Sequence, residues 1–369
     1  MFQRLLALVH KEFLALLRDK ASRFVLIGPP LIQLFVFSYA ATFDLNHVAL
    51  AVFNEDPGLA ARQLVARFEG SPIFERVATL TRNTDIAPLI DSERVLLVLH
   101  VGRDFSRDLA QGRPAPLQIV IDGRNSNTAT IALDYANTII SDFETAWLAA
   151  HGLPLPAAAP IPRAWHNPDL LSRWFIVPGI VGLLTFVVTI LVSGLSIVRE
   201  RELGTYDQLL VTPYRPWEIL LGKALPGFII GGLEASVIIT VAVAGFGVPF
   251  TGNPLALAAG LALFLLSALG IGLMISAFAA TQQQGLLGAF LFLVPAIILS
   301  GFATPIEDMP PLIQHLTLLN PMRHLMTILR GVFLEGDGFG DLVFPFAALG
   351  LSGVLSLTVA VFLARRRMG

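Results

Sequence analysis

The chain opens on an amphipathic run. Phe2, Leu5, Leu6, Val9, Phe13, Leu16 and Leu17 follow helical spacing, while Arg4, Lys11 and Arg18 recur on another face. This predicts an interfacial helix over residues 1–23 with its basic residues turned to headgroups. Phe24–Phe43 is apolar and about long enough to cross a bilayer, with a kink expected at Pro29-Pro30. Ser38-Tyr39-Ala40 resembles a signal-peptide cleavage site. The apolar run is too long for one, however, and a long segment precedes it, so a retained span is expected. Five further apolar runs follow: Trp174–Val198, Ala224–Phe246, Leu255–Phe278, Leu286–Ala303 and Leu342–Ala364. Each is long enough to read as a span.

Between the first and second runs the pattern changes. Asp44–Arg173 is polar, with four short strand-like stretches at Val48–Asn54, Arg76–Thr81, Val95–Val101 and Leu117–Asp122. Helical stretches separate them at Gly58–Glu69, Asp85–Glu93 and Phe105–Gln111, and a long helix from Ser126 to about Ala150 closes the series. Such alternation predicts an α/β domain with a partly parallel sheet. A Pro/Ala-rich spacer, Pro154–Pro162, returns the chain to the membrane. The expected fold class is an α-helical polytopic membrane protein of six transmembrane helices, with this α/β domain inserted between the first and second. His100, Asp122 and Ser126 are the chemistry-bearing residues of the insert, but no nucleophile elbow or metal-ligand spacing accompanies them. Asp122-Gly123 reads as a turn and helix cap.

Composition agrees with a membrane protein: 54% of residues are hydrophobic and 14% charged, against about 25% charged in soluble domains. The net charge of -2 comes without a basic patch, so no nucleic-acid partner is expected. There is no cysteine, which excludes disulfides, thiol catalysis and cysteine-based metal sites. Orientation follows from short-flank Lys and Arg. Arg4, Lys11, Arg18, Lys20 and Arg23 precede the first span, Arg199, Arg201, Arg215 and Lys223 lie between the second and third, and Arg365–Arg367 follow the last. Both termini are therefore expected in the cytoplasm. The insert carries eleven arginines, but a domain of that length crosses largely regardless of charge, so it is expected outside.

The loop Arg199–Lys223 is dense in helix punctuation. Gly204 is placed to end the second span, Thr205 and Gln208 form a capping box, Thr212-Pro213 stops a short helix, and Pro216 opens the next. The run Arg-Glu-Arg-Glu-Leu-Gly-Thr-Tyr-Asp-Gln-Leu-Leu-Val-Thr-Pro resembles the loop after the second span in ABC-2 type permeases, the membrane subunits of ATP-binding-cassette exporters. The resemblance implies that Glu200, Arg201, Glu202, Gly204, Thr205, Tyr206 and Asp207 form a coupling element for a separate ATPase subunit. Thr281-Gln282-Gln283-Gln284 resembles the family's second cytoplasmic loop, which adds Gln282, Gln283 and Gln284 to that contact. The segment at about 304–334 holds two short apolar helices split by Asn320-Pro321. It resembles the external re-entrant hairpin that caps the family's translocation path. Asn54-Glu55-Asp56, Phe105–Leu109 and Asp122–Ala129 resemble the external domain of the drug-exporter branch.

Glu234 lies near the middle of the third span, where a carboxylate is costly and normally faces the bundle interior or water. It is a candidate for lining the path or attracting a cationic substrate; a hydrogen-bonded packing role is the alternative. No Gly-x-x-x-x-Gly-Lys-Ser/Thr run occurs, so ATP and Mg are expected on the partner ATPase and no cofactor in this chain. The family further implies a second permease copy or paralogue, and in the large-insert branch a periplasmic adaptor, an outer-membrane channel and an inner-membrane location. An ion-coupled secondary transporter is a competing reading, but it usually shows internal repeats and paired intramembrane ions. A membrane sensor reading its external domain is another, for which five further spans are excessive.

Overall fold

The computed structural model describes residues 2–18, 28–36, 45, 47–124, 126–152, 166–167, 171–205 and 216–368. They fall into two compact units, Phe43–Arg163 and the remainder, Met1–Thr42 with Ala164–Gly369.

In the first unit four strands form one sheet: β1 (Val48–Asn54), β2 (Phe74–Leu80), β3 (Leu97–Val101) and β4 (Leu117–Ile121). Their order is β2-β1-β3-β4. β1 runs parallel to β2 and β3, and β4 closes the sheet antiparallel to β3. Alternate residues of β1 enter opposite cores, as a period of two requires. Val48, Leu50 and Val52 join Leu64, Phe68, Ala132, Phe143 and Trp147 on one face. Ala51 and Phe53 join Val98, Leu80 and Ile86 on the other. Helices α3 (Leu59–Glu69), α4 (Ile86–Asp91), α5 (Phe105–Ala110) and α6 (Ser126–Ala150) complete the unit; α2, residues 28–36, belongs to the second unit. β2 begins earlier than the alternation suggests because Phe74 and Glu75 extend the ladder opposite Val48 and Ala49. β3 begins later because Glu93, at φ 57°, turns the chain just before it. Asp56 fixes the turn after β1 by accepting from the Gly58 and Ser106 amides. Burial opposes its ionisation, but these bonds outweigh it and hold the carboxyl below the usual range.

The second unit is helical. It contains α1 (Phe2–Arg18), α7 (Ser172–Glu202), α8 (Pro216–Ala244), α9 (Pro254–Phe278), α10 (Gln282–Ile298), α11 (Pro311–Thr317), α12 (Pro321–Arg330) and α13 (Val343–Met368). Helices spanning Ser172–Glu202, Glu218–Ala244, Pro254–Phe278 and Val343–Leu363 are long and apolar enough to cross a membrane. α10 is apolar but shorter, at 17 residues. α7 and α9 form the middle of the unit: Phe186, Leu184, Phe264 and Leu257 are all buried there. α10 starts and stops earlier than the expected fifth span, Leu286–Ala303. Thr281 caps it by accepting from the Gln284 amide, and the chain leaves the helix after Ile298. Thr281–Gln284 is thus a helix start rather than a free loop. The segment after it folds back through α11 and α12. Asn320 caps α12 and donates to the Ala296 carbonyl, and Arg330 donates to the Gly301 carbonyl while lying 4.3 Å from the Phe175 ring centre.

Candidate functional site

The candidate coupling residues sit at the end of α7. There the chain stops in a Schellman motif: Gly204 is at φ +68° and its amide donates to the Arg201 carbonyl, while the Thr205 amide reaches the Glu200 carbonyl at 3.0 Å. The Thr205 hydroxyl donates to the same Glu200 carbonyl. A left-handed residue ends the helix, and glycine takes that conformation without the usual steric cost.

The next two charged side chains join the ends of two other helices. Arg201 donates to the carbonyls of Ala277 and Ala279, at 3.2 and 3.0 Å, where α9 ends. A cation is favoured at such a helix C-terminus. Glu202 accepts from the Gln282 amide at 3.3 Å and from the Gln282 side chain, where α10 begins. An acid is favoured there for the same reason with opposite sign. Gln284 accepts from the Ala280 amide and completes a reciprocal cap with Thr281, and Gln283 is exposed beside them. Two segments 80 residues apart are thereby one structure.

Glu200 points elsewhere. It is buried, and its oxygens lie 2.8 Å from Lys11 Nζ and 2.9 Å from Lys223 Nζ. Lys223 has no side-chain exposure; it also contacts Glu12 at 3.2 Å and donates to the Ser196 carbonyl. The four charges pin α1 to α7 and α8. Lys11 is therefore turned to a carboxylate, not simply to headgroups. Sequence reasoning missed this cluster. Its one signal was a lysine at the mouth of an apolar helix, which reads equally well as a topology determinant.

Tyr206, Asp207 and the short helix expected to follow Thr205 lie outside the described residues. Glu234 is in α8, and both its carboxylate oxygens are buried without a hydrogen-bond partner among the described residues. In the α/β unit, Asp122 is paired with Arg124, whose hydrogen bonds hold it below the usual carboxylate range, and Arg124 also reaches Glu93. His100 bonds Gln118 and stacks on Phe53. Ser126's side chain lies outside the described residues. Among the described residues no group of three His, Asp or Glu is placed to hold a metal. The arrangement ties helix ends together.

A family model described as ABC-2 family transporter protein matches residues 20–362. The chain is 39% identical over 344 residues to the probable multidrug ABC transporter permease YbhR of Escherichia coli K12, covering 93% of each chain. It is 31% identical over 374 residues to the probable multidrug ABC transporter permease YbhS of the same organism, covering 100% of this chain and 98% of that one. It is 22% identical to the linearmycin resistance permease protein LnrN of Bacillus subtilis, covering 98% of each. With a model covering most of its length and relatives above 30% identity end to end, this chain belongs to the ABC-2 family of transporter proteins.

Proposed function

We propose that this chain is the permease subunit of an ATP-driven exporter, carrying an amphiphilic or drug-like substrate out of the cytoplasm. ATP and Mg are bound by a separate ABC ATPase subunit. That subunit docks at the end of α7 and the loop after it, within Arg199–Lys223, together with Gln282, Gln283 and Gln284; Glu200 and Lys223, being buried, support this surface from behind. Six spans cross the bacterial inner membrane with both termini in the cytoplasm, and the α/β domain projects outside. Two permeases, identical or paralogous, form the pathway, and an adaptor and outer-membrane channel extend it. Glu234 lines the path, and the hairpin at about 304–334 caps it. The drug-like substrate class is suggested by the names of the two Escherichia coli relatives.

The observation that carries the docking site is the junction of α7, α9 and α10. Arg201 and Glu202 bind the ends of the other two helices, so a push on this junction reaches three helices together. Gly204→Val places a branched side chain at positive φ, at a cost of roughly 1–2 kcal/mol, and tilts whatever follows. Glu202→Lys puts a cation at the start of α10, where it is disfavoured. Both variants are expected to insert normally yet lose substrate-stimulated hydrolysis or release the ATPase. Co-purification and stimulated hydrolysis are the readouts. Wild-type values in both would reduce the junction to a connector.

A further inference from the structure

The seam between α7 and α8 holds buried polar atoms that no described residue satisfies. Among them are both carboxylate oxygens of Glu234 and the hydroxyls of Thr185 and Thr189. The two threonines have no solvent exposure at all. A helical hydroxyl ordinarily bonds the carbonyl one turn back. Ser193, Ser236, Thr240 and Thr358 do so here. Thr185 and Thr189 do not, and neither does Ser196 nearer the end of α7.

Their positions converge. A Cβ on Gly227 would lie 3.6 Å from Val192 Cγ1, and one on Gly231 would lie 2.6 Å from Thr189 Oγ1. α7 and α8 are therefore antiparallel along this seam. One more turn in the same register sets Glu234 level with Thr185, a turn from Thr189. Gly231 and Gly232 leave α8 bare just before the acid. One acid and two hydroxyls thus share one strip of the α7–α8 seam. Polar groups buried without partners are rare and call for an explanation, and an intramembrane acid normally serves a pathway. The donor set is all oxygen, and its one carboxyl carries negative charge when ionised. That suits a monovalent cation and is unsuited to an anion or a soft metal.

We propose that Glu234, Thr185 and Thr189 form a binding site for a monovalent cation, either the ammonium head of an amphiphilic amine or an alkali ion. The exporter reading is needed only to place this site on a transport path; binding itself does not depend on it.

The test uses the permease–ATPase complex in nanodiscs, with empty nanodiscs as the blank. Decylammonium is titrated against decanol as its neutral match, and sodium chloride against choline chloride by thermal stabilisation. The wild type is expected to prefer one of the two cations over its control by about tenfold. Preference for decylammonium assigns the organic source, and preference for sodium the inorganic one. The pair Thr185→Val with Thr189→Val, and separately Glu234→Gln, remove the preference and leave decanol binding unchanged. Thr189→Ser keeps the hydroxyl and retains it, which guards against a folding defect in the valine pair. A wild type that prefers neither cation, or a preference that survives in Glu234→Gln and in the folded valine pair, overturns the site. If the cation binds but ATP moves neither decylammonium nor decanol in proteoliposomes, the exporter reading fails and the site stands.

Discussion

Lys223 is a charge taken wholly out of water. Its ammonium is tolerated because Glu12, Glu200 and the Ser196 carbonyl surround it. Removing one member of a buried ion pair leaves the other uncompensated, at about 3–5 kcal/mol. Lys223→Met is therefore expected to destabilise the helical unit by that amount, with Glu200 left to Lys11 alone. Lys11 is 53% exposed, so Lys11→Ala should cost less than about 1 kcal/mol. Replacing Lys223 and Glu200 together by Met removes both charges, and the double variant should be more stable than the sum of the single losses predicts. Thermal unfolding of the four proteins in one detergent checks the cycle; strict additivity would mean that the contact carries no energy. Not every residue at this junction is legible from sequence. Gly204 is, because glycine following a charged helix end signals a left-handed stop. The partnership of Glu202 with Gln282 is not, since 80 residues separate them and no local period links them. The burial of Lys223 is hidden for a related reason: its partners come from two other helices, α1 and α7.

The elements divide along the same line. Strands of the α/β unit are legible because alternation places both faces of β1 in apolar cores. Helix ends set by single side chains are harder to read, as with Thr281, whose cap starts α10 four residues before the apolar run at Leu286. For α1, spacing shows an amphipathic helix but not what its apolar face meets. The structure shows that Leu8, only 3% exposed, packs over Gly222, where an added Cβ would run into the leucine side chain. The missing side chain of Gly222 is thus what lets α1 lie close enough for Lys11 and Glu12 to reach Glu200 and Lys223. Gly222→Leu is expected to lift α1 away and break both ion pairs. Trypsin cleavage at Lys11 in the folded protein should then rise about tenfold, because local opening governs proteolysis. Gly222→Ala, which asks for a smaller shift, should fall between. An unchanged rate in the leucine variant would show that α1 is held by other contacts.

At the scale of the whole molecule, charge bears on which side of the membrane each unit faces. Positive residues in short flanks decide orientation. Two of those cations, Lys11 and Lys223, are engaged in ion pairs in the folded protein. The same flanks also carry Arg199, Arg215 and the arginines at the end of α13. All of these fall on the side proposed for the ATPase. In the proposed orientation the junction of α7, α9 and α10 faces the cytoplasm and the sheet unit faces outward. The chain has no cysteine, so single cysteines can report this without background. Asn83→Cys lies on an exposed turn of the sheet unit, and Gln283→Cys on the exposed first turn of α10. In intact spheroplasts an impermeant maleimide is expected to label Cys at 83 at once and Cys at 283 only after permeabilisation. Both substitutions are on exposed polar positions away from the cores, so stability should change by no more than about 0.5 kcal/mol. The reverse labelling pattern would invert the molecule. It would place the Glu202–Gln282 junction where no cytoplasmic ATPase can reach it, and the proposed coupling site would fall with the topology.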